Sequence, residues 1–154
     1  MTRRGAPHNT SGQRIAGEGW LAFCRLSPEA LGLGPHSQQL FIELRYAAET
    51  GQPLSVILLA ATLADVVLYE GASYDFDDLG AGTEDGLSGM GLDWLSAGER
   101  RRLDWLRHRR NGIVHHERPV DGLMGLAEDA ALLAADADRA LAALVPVLEG
   151  LESF

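Results

Sequence analysis

The chain has 154 residues, 46% of them hydrophobic, and a formal net charge of -9 at pH 7. This length is enough for one domain with a hydrophobic core but is short for two. Every basic residue is arginine, so enzyme classes that depend on a P-loop lysine or a Schiff-base lysine are excluded. The lone cysteine, Cys24, can form no intramolecular disulfide, which suits a reducing cytoplasm.

The charge is divided unevenly along the chain. Residues 1–98 carry 5 Arg and 12 acids, a net charge of -7; residues 99–118 carry 7 Arg and 3 acids, which is +4; residues 119–154 carry 1 Arg and 7 acids, which is -6. The acidic total argues against general coating of nucleic acid, whereas the basic segment predicts one local anion-binding surface. No run approaches the ~20 apolar residues that a membrane-crossing helix needs, so we expect a cytoplasmic protein that uses no membrane.

The first 35 residues are rich in Gly, Ser, Pro and Asn, and their one apolar cluster is Trp20-Leu21-Ala22-Phe23. This composition predicts a flexible N-terminal arm over residues 1–35 with one short anchoring segment. Residues 36–154 are predicted to form a single all-α domain, because apolar residues recur there at helical spacing and no strand pattern competes.

Two helices are predicted in the first half of this domain. The first spans about 37–51, and the second spans about 54–69. The second helix is apolar on every side, which is typical of a central helix. Its one interior charge is Asp65, which either lies on a seam, bonded to an Arg or a hydroxyl, or supports a functional site. Arg110 is a candidate partner for this carboxylate.

A long loop and a third helix follow. Residues 71–93 are rich in Gly and acids and predict an acidic loop. Ser96 and Glu99 have the spacing of a capping box, in which each side chain accepts a hydrogen bond from the other residue's backbone N–H. The third helix is therefore predicted to begin there and to end near His116.

The apolar stripe of the third helix consists of Leu103, Leu106, Ile113 and Val114. Helical spacing assigns one more core-facing position between Leu106 and Ile113, and Arg110 occupies it.

The last helix is predicted over residues 123–151. Small and apolar residues alternate along it in steps of three and four, which indicates a packing seam: Leu126, Ala130, Leu133, Ala137, Ala140, Leu144 and Val147. Pro146 should kink it near its end. Together the segments predict an all-α fold, a four-helix up-and-down bundle with short accessory helices and a long acidic Gly-rich loop.

Cationic and titratable residues are concentrated at the end of the third helix, over residues 107–117. Arginine is a permanent cation, and histidine has an unperturbed pKa of ~6.5, so the two together suit phosphate chemistry. The run Arg110-Asn111-Gly112-Ile113-Val114-His115 resembles the R-[N/D/H]-x-x-x-H motif of HEPN domains. These are small all-α modules of toxin-antitoxin, abortive-infection and other RNA-targeting systems. The resemblance covers about residues 37–150.

The resemblance implies a metal-independent endoribonuclease that needs no cofactor and acts on RNA as a homodimer, with an antitoxin protein as a further partner. In such a reaction the 2'-hydroxyl attacks the adjacent phosphate and the 5'-oxygen leaves, which gives a 2',3'-cyclic phosphate. His115 would be the general base or acid, Arg110 would stabilise the charge that develops at phosphorus, and Asn111 would orient the site. Asp65 and His116 would support these residues.

The spacing of the motif gives a separate reason to expect a dimer. Positions five apart lie ~140° apart around a helix with 3.6 residues per turn, so Arg110 and His115 do not converge in one straight helix. A second copy across a two-fold axis could bring an Arg and a His together. Alternatively, Gly112 could loosen the helix and let His115 turn inward.

The neighbouring residues have two interpretations each. Four further arginines are candidates for binding RNA phosphates: Arg102, Arg107, Arg109 and Arg118. They could equally form a solvated face that balances the acidic remainder of the chain. Trp105 could stack on a base, although a Trp on an amphipathic helix more often belongs to the core. His115 could be a capping or core histidine that a backbone carbonyl satisfies.

Two further hypotheses compete with the ribonuclease. The first is a HEPN-like module without catalysis that acts in binding or dimerisation, for example beside an antitoxin or a nucleotidyltransferase. The second is a metal site formed by His108, His115 and His116 with Glu117 or an acidic loop residue. Because His108 and His115 are two helical turns apart, which is wide for one ion, no metal is predicted.

Overall fold

The fold is all-α, as predicted, in the residues that a computed structural model describes, which are 12–72, 92–116 and 118–153. This part of the chain contains five α-helices and no strand. The elements are α1 (Glu18–Phe23), α2 (Pro35–Glu49), α3 (Pro53–Ala72), α4 (Ala97–His115), α5 (Asp129–Glu149) and a terminal 3-10 helix (Gly150–Ser153). The ends of α2, α3 and α4 lie within three residues of those expected from hydrophobic spacing and capping.

Helix α3 lies at the centre of the described fold, as its all-round apolar sequence predicted. It packs against α2, α4 and α5. Its fully buried residues are Val56, Ile57, Ala60, Ala61, Leu63 and Ala64. The segment Pro53–Glu70 has a mean hydropathy of 1.7 and is 44% buried, so it is long and apolar enough to cross a membrane. The expectation that no segment is long and apolar enough to cross a membrane is therefore wrong. The core helix of a globular fold can also have this length and composition.

A glycine is required where the N-terminal segment crosses the turn between α2 and α3. The backbone N–H of Ile15 donates to the carbonyl oxygen of Ala48 at 2.8 Å, which holds this segment against the end of α2. Gly51 follows with a φ of 67°, in the left-handed region that other residues rarely adopt. A Cβ at this position would also overlap the backbone of Gln13, so a side chain would push the segment away.

Helix α1 is anchored on α5. Trp20 and Phe23 are buried, and the Asp138 carboxylate on α5 accepts hydrogen bonds from the backbone N–H groups of Gly19 and Trp20 at 3.3 and 2.8 Å. Such first-turn amides have no partner inside their own helix. Gly19 permits the close approach, because a Cβ there would overlap the backbone carbonyl of Asp138.

The predicted capping box at the start of α4 is confirmed. Ser96 Oγ accepts from the Glu99 N–H at 3.1 Å, and Glu99 Oε1 accepts from the Ser96 N–H at 2.9 Å. The backbone N–H of Ser96, and then its hydroxyl, lower the pKa of the Glu99 carboxyl. At the other end, His116 has a φ of 48° and a ψ of 42°, a left-handed conformation in which the helix terminates.

The start of α5 differs from the prediction. The helix begins at Asp129 rather than near residue 123, because Gly122 and Gly125 have φ values of 90° and 75°, which a right-handed helix cannot contain. The carboxylate of Asp129 instead accepts the backbone N–H groups of Met124 and Leu126 at 3.1 and 2.9 Å, which stabilises a turn.

The predicted packing seam of α5 is correct from Leu133 onward, and Leu133 itself is partly buried against the core. Leu126 and Ala130 are exposed, so these two members of the predicted seam are wrong. Four later members are buried: Ala137, Ala140, Leu144 and Val147. Pro146 lies inside the helix, which continues through it to Glu149.

Several predicted features lie outside the described residues. They are the first 11 residues of the arm, residues 73–91 of the acidic loop, and Glu117. Where the structure resumes after the loop, Leu92 and Leu95 are buried and belong to the core.

Candidate active site at the end of helix α4

Helix α4 has two chemically different faces beyond its first turns. Leu103 and Leu106 are fully buried and fix which side of the helix meets the core. Arg110 continues this side and contacts α3. His108, Asn111 and His115 line a surface cavity on another side.

Arg110 is bound to Asp65 of α3. Its Nη1 donates to Asp65 Oδ2 at 2.6 Å, and the two side chains are 22% and 33% exposed. Its Nε donates to Asn111 Oδ1 at 3.1 Å. A second cation, Arg107, lies with its Nε 3.4 Å from Asp65 Oδ1. The candidate pairing of Arg110 with Asp65 is thus confirmed. Both side chains retain contact with solvent, so the ion pair lies at the edge of the core.

The cavity beside α4 has a volume of ≈340 Å³. Its walls come from the last two turns of α4 and from the connection to α5. The lining residues are His108, Arg109, Asn111, Gly112, His115, Arg118, Pro119, Val120 and Asp121. Arg110 is not among them, so the arginine and the histidine of the motif point to different surfaces within one chain, as their five-residue spacing predicted.

The alternative in which Gly112 loosens the helix is wrong. Helix α4 continues through Gly112 to His115, and His115 is exposed rather than turned inward. A Cβ at position 112 would meet nothing within 4 Å. Val114, predicted to belong to the apolar stripe, is 60% exposed, whereas its neighbour Ile113 is partly buried against the core.

His116 ends helix α4. Its backbone is left-handed, and its side chain is exposed. It lies with Arg118, Leu123 and Met124 in the wall of a second cavity of ≈530 Å³ that adjoins the first. It does not line the cavity that His115 lines.

The four predicted phosphate-binding arginines have different surroundings. Arg109 is 13% exposed; its Nε donates to Asp136 at 2.8 Å and its Nη2 donates to the carbonyl oxygen of Asp121, so it holds the connection in place. Arg107 contacts Asp65. Arg102 is exposed near the start of α4, away from the cavity, and Arg118 is exposed at the cavity wall. In the described part of the chain, Arg118 is the cavity-lining arginine whose guanidinium has no protein partner.

Trp105 is better explained by packing than by base stacking. It is partly buried against the core, and the guanidinium of Arg139 lies 4.0 Å from its ring centroid. One face of the ring is therefore covered by a cation from α5.

His108 was predicted only as a metal ligand. In the structure His108 lines the cavity with His115, and its Nδ1 lies 2.7 Å from the carbonyl oxygen of Asp104. The seven-residue spacing of the two histidines was the signal, because two full helical turns return to the same face.

The residues do not assemble a metal site in the ranges that the structure describes. Within 12–72, 92–116 and 118–153, no three His, Cys, Asp or Glu side chains are grouped closely enough to hold an ion. The hypothesis of a site built on His108, His115 and His116 therefore loses support.

Comparison of this chain with protein-family models, with curated proteins and with solved structures finds no match. The resemblance of residues 110–115 to the HEPN motif therefore stays a prediction.

Proposed function

We propose that this protein is a metal-independent endoribonuclease of HEPN type, built as a four-helix up-and-down bundle. It cleaves RNA by attack of the 2'-hydroxyl on the adjacent phosphate and leaves a 2',3'-cyclic phosphate. The observation that carries the proposal is that His115, Asn111 and Arg118 line one surface cavity. This cavity lies on the one basic segment of an acidic chain.

Each of the three side chains has a role that the reaction needs. An imidazole such as that of His115 can accept or donate a proton during the reaction, and such proton transfer typically contributes ~100 to 10,000-fold in rate. The Arg118 guanidinium can bind two phosphate oxygens and stabilise the charge that builds up on them. The Asn111 amide can donate to a phosphate oxygen while its Oδ1 accepts from Arg110.

Arg110 contributes to catalysis in a homodimer. Asp65 and Asn111 each take one N–H of its guanidinium, at Nη1 and Nε, which leaves both N–H groups of Nη2 and the second N–H of Nη1 for substrate. Because Arg110 and His115 lie on different sides of α4, a second copy of the helix is needed to bring Nη2 to a phosphate held by His115. Asp65 supports such a site by fixing the direction of the guanidinium.

A non-catalytic binding module is the second candidate function, beside an antitoxin or a nucleotidyltransferase. It is favoured by large apolar side chains that are exposed on α4, on α5 and on the connection between them, two of which, Leu123 and Met124, line the adjoining cavity. These are Val114, Leu123, Met124, Leu126 and Leu132. Neighbouring exposed apolar side chains such as Leu123 and Met124 are typical of protein interfaces.

The test compares cleavage of labelled single-stranded RNA by the wild-type protein with cleavage by His115→Ala, Arg118→Ala and Arg110→Ala, each with and without EDTA. Matched controls are His36→Ala and Arg100→Ala, since both residues are exposed and neither lines the cavity. We expect EDTA-resistant cleavage that the three site variants lose and both controls keep. Loss of cleavage in EDTA would point to a metal, and absence of cleavage with any RNA would favour the binding module.

A mixing experiment tests the shared site. When Arg110→Ala and His115→Ala proteins are combined, each mixed dimer has two composite sites. One of these sites has both an intact arginine and an intact histidine, and the other has neither. We expect activity to return in the mixture although each variant alone is inactive. No recovery, in a mixture shown to exchange subunits, would mean that Arg110 acts within its own chain or serves only stability.

A further inference from the structure

His108 lines the same cavity as His115, two turns earlier on α4. Its side chain is exposed and has no role in the site described above. We propose that His108 is a second catalytic residue of this site, the general base that removes the proton from the 2'-hydroxyl, with His115 as the general acid. This inference rests on the ribonuclease function proposed above and assigns its two proton transfers.

The hydrogen bond of His108 determines which ring nitrogen is basic. Its Nδ1 lies 2.7 Å from the backbone carbonyl oxygen of Asp104. A carbonyl oxygen can only accept, so Nδ1 carries the hydrogen, and in the neutral ring Nε2 is then the nitrogen with a free lone pair. The backbone of α4 thus fixes the tautomer in which Nε2 can accept a proton from a hydroxyl in the cavity.

The position of His115 suits the opposite role. It lies in the last turn of α4 on the same cavity wall, two turns beyond His108. The imidazolium form is the form that can donate a proton to a leaving oxygen.

The separation of the two histidines suits an in-line displacement. Residues seven apart are about 10.5 Å apart along a helix axis, at a rise of 1.5 Å per residue. The attacking 2'-oxygen and the leaving 5'-oxygen lie on opposite sides of phosphorus, so the base and the acid must also lie on opposite sides. A separation that is too wide for one metal ion is therefore suitable for two hydrogen bonds of roughly 2.6 to 3.2 Å each. One joins His108 to the attacking 2'-oxygen and the other joins His115 to the leaving 5'-oxygen.

The proposed step is balanced in atoms and charge. His108 Nε2 takes the 2'-hydroxyl proton, the 2'-oxygen forms a bond to phosphorus, the bond from phosphorus to the 5'-oxygen breaks, and His115 gives that oxygen a proton. Asn111 lies between the two histidines on the helix. The charged side chains that line the same cavity are Arg109, Arg118 and Asp121. Of these, Arg109 is engaged by Asp136, which leaves Arg118 for the phosphate.

The experiment compares two RNA substrates of the same sequence, one ordinary and one with sulfur in place of the bridging 5'-oxygen at the cleaved bond. A thiolate leaves without protonation, so this substrate does not need the general acid but still needs the base. The proteins are wild type, His108→Ala, His115→Ala and the control His36→Ala. His108→Gln is added because it keeps a side-chain N–H for the Asp104 carbonyl but has no group able to take up a proton.

We expect His108→Ala and His108→Gln to lower kcat by about 100-fold or more on both substrates, with little change in KM. His115→Ala should be equally slow on the ordinary RNA and should recover about 10-fold or more on the sulfur substrate. Wild-type kcat in either His108 variant, or recovery of these variants on the sulfur substrate, would overturn the assignment of the base while leaving the ribonuclease intact. If the wild-type protein cleaves neither substrate, the ribonuclease function itself is wrong and this inference is wrong with it.

Discussion

Removal of the Asp65 carboxylate should uncouple α3 from α4 by an amount that can be worked out from the geometry. Asp65 and Arg110 are in contact at 2.6 Å with side chains 33% and 22% exposed. Fully exposed ion pairs contribute about 0 to 1 kcal/mol, whereas breaking a fully buried pair costs about 3 to 5 kcal/mol. A pair at the edge of the core lies between these limits, so we expect a coupling energy of about 1 to 2 kcal/mol.

A double-mutant cycle measures this coupling directly. The free energy of unfolding is determined by urea titration for wild type, Asp65→Asn, Arg110→Gln and the double variant, and the interaction energy is the departure from additivity. A parallel cycle with Arg107→Gln is the matched control, because Arg107 lies on the same carboxylate at 3.4 Å with its side chain 30% exposed. Its coupling should be below about 0.5 kcal/mol.

Two results would refute this reasoning. A coupling below about 0.3 kcal/mol for Asp65 with Arg110 would mean that the contact does not stabilise the fold, since this is the scatter of additive pairs. A larger coupling for Arg107 than for Arg110 would mean that distance and burial rank the two cations wrongly. In either case Asp65 could not be credited with fixing the direction of the Arg110 guanidinium.

Three further predictions concern stability. Ser96→Ala should cost about 1 kcal/mol in urea titrations, since it removes one half of the α4 capping box. The pKa of the Glu99 carboxyl is lowered in the folded state, so the carboxylate stabilises the fold above pH 4.5, its ordinary pKa, and this stabilisation is lost as pH falls through the lowered pKa. The difference in melting temperature between wild type and Glu99→Gln should therefore shrink in acid. A difference that stays constant with pH would contradict this prediction. Gly19→Ala should destabilise the fold by about 1 to 3 kcal/mol, because the added Cβ overlaps the backbone of Asp138. Gly112→Ala should stabilise it by about 0.5 to 1 kcal/mol, because the added Cβ lies in open space within a helix. Equal changes in the free energy of unfolding would mean that the space around each glycine does not determine the effect.

Local signals account for what the sequence could predict of the fold. The capping box at Ser96 is contained within four residues, and the apolar spacing of α2 and α3 is contained within each helix. Such signals need no knowledge of the partner surface. The start of α5 was missed because the hydrophobic spacing continues through Gly122 and Gly125. Their positive φ values belong to a connection that makes long-range contacts, such as that of the Asp121 carbonyl with Arg109, and helical spacing does not contain such contacts.

The pairing of Arg110 with Asp65 in the candidate site was predictable from the spacing within each helix and from the need to balance a charge. Arg110 at a core-facing position required a carboxylate, and Asp65 was the one interior charge of the apolar helix. The cavity was not predictable, because one of its walls is the connection that carries Arg118. That connection is held in place by Arg109, which the sequence alone could not distinguish from arginines that face solvent.

The exclusive use of arginine has a physical consequence at this site. Arg109 holds a carboxylate through Nε and a backbone carbonyl through Nη2, and Arg110 holds a carboxylate through Nη1 and an amide oxygen through Nε. A lysine ammonium is a single point of charge on a flexible stem and lacks the planar set of donors that fixes both partners at once. The basic segment therefore contains arginines that orient the walls of the cavity, whereas the charge of Arg118 is exposed to solvent at the cavity wall.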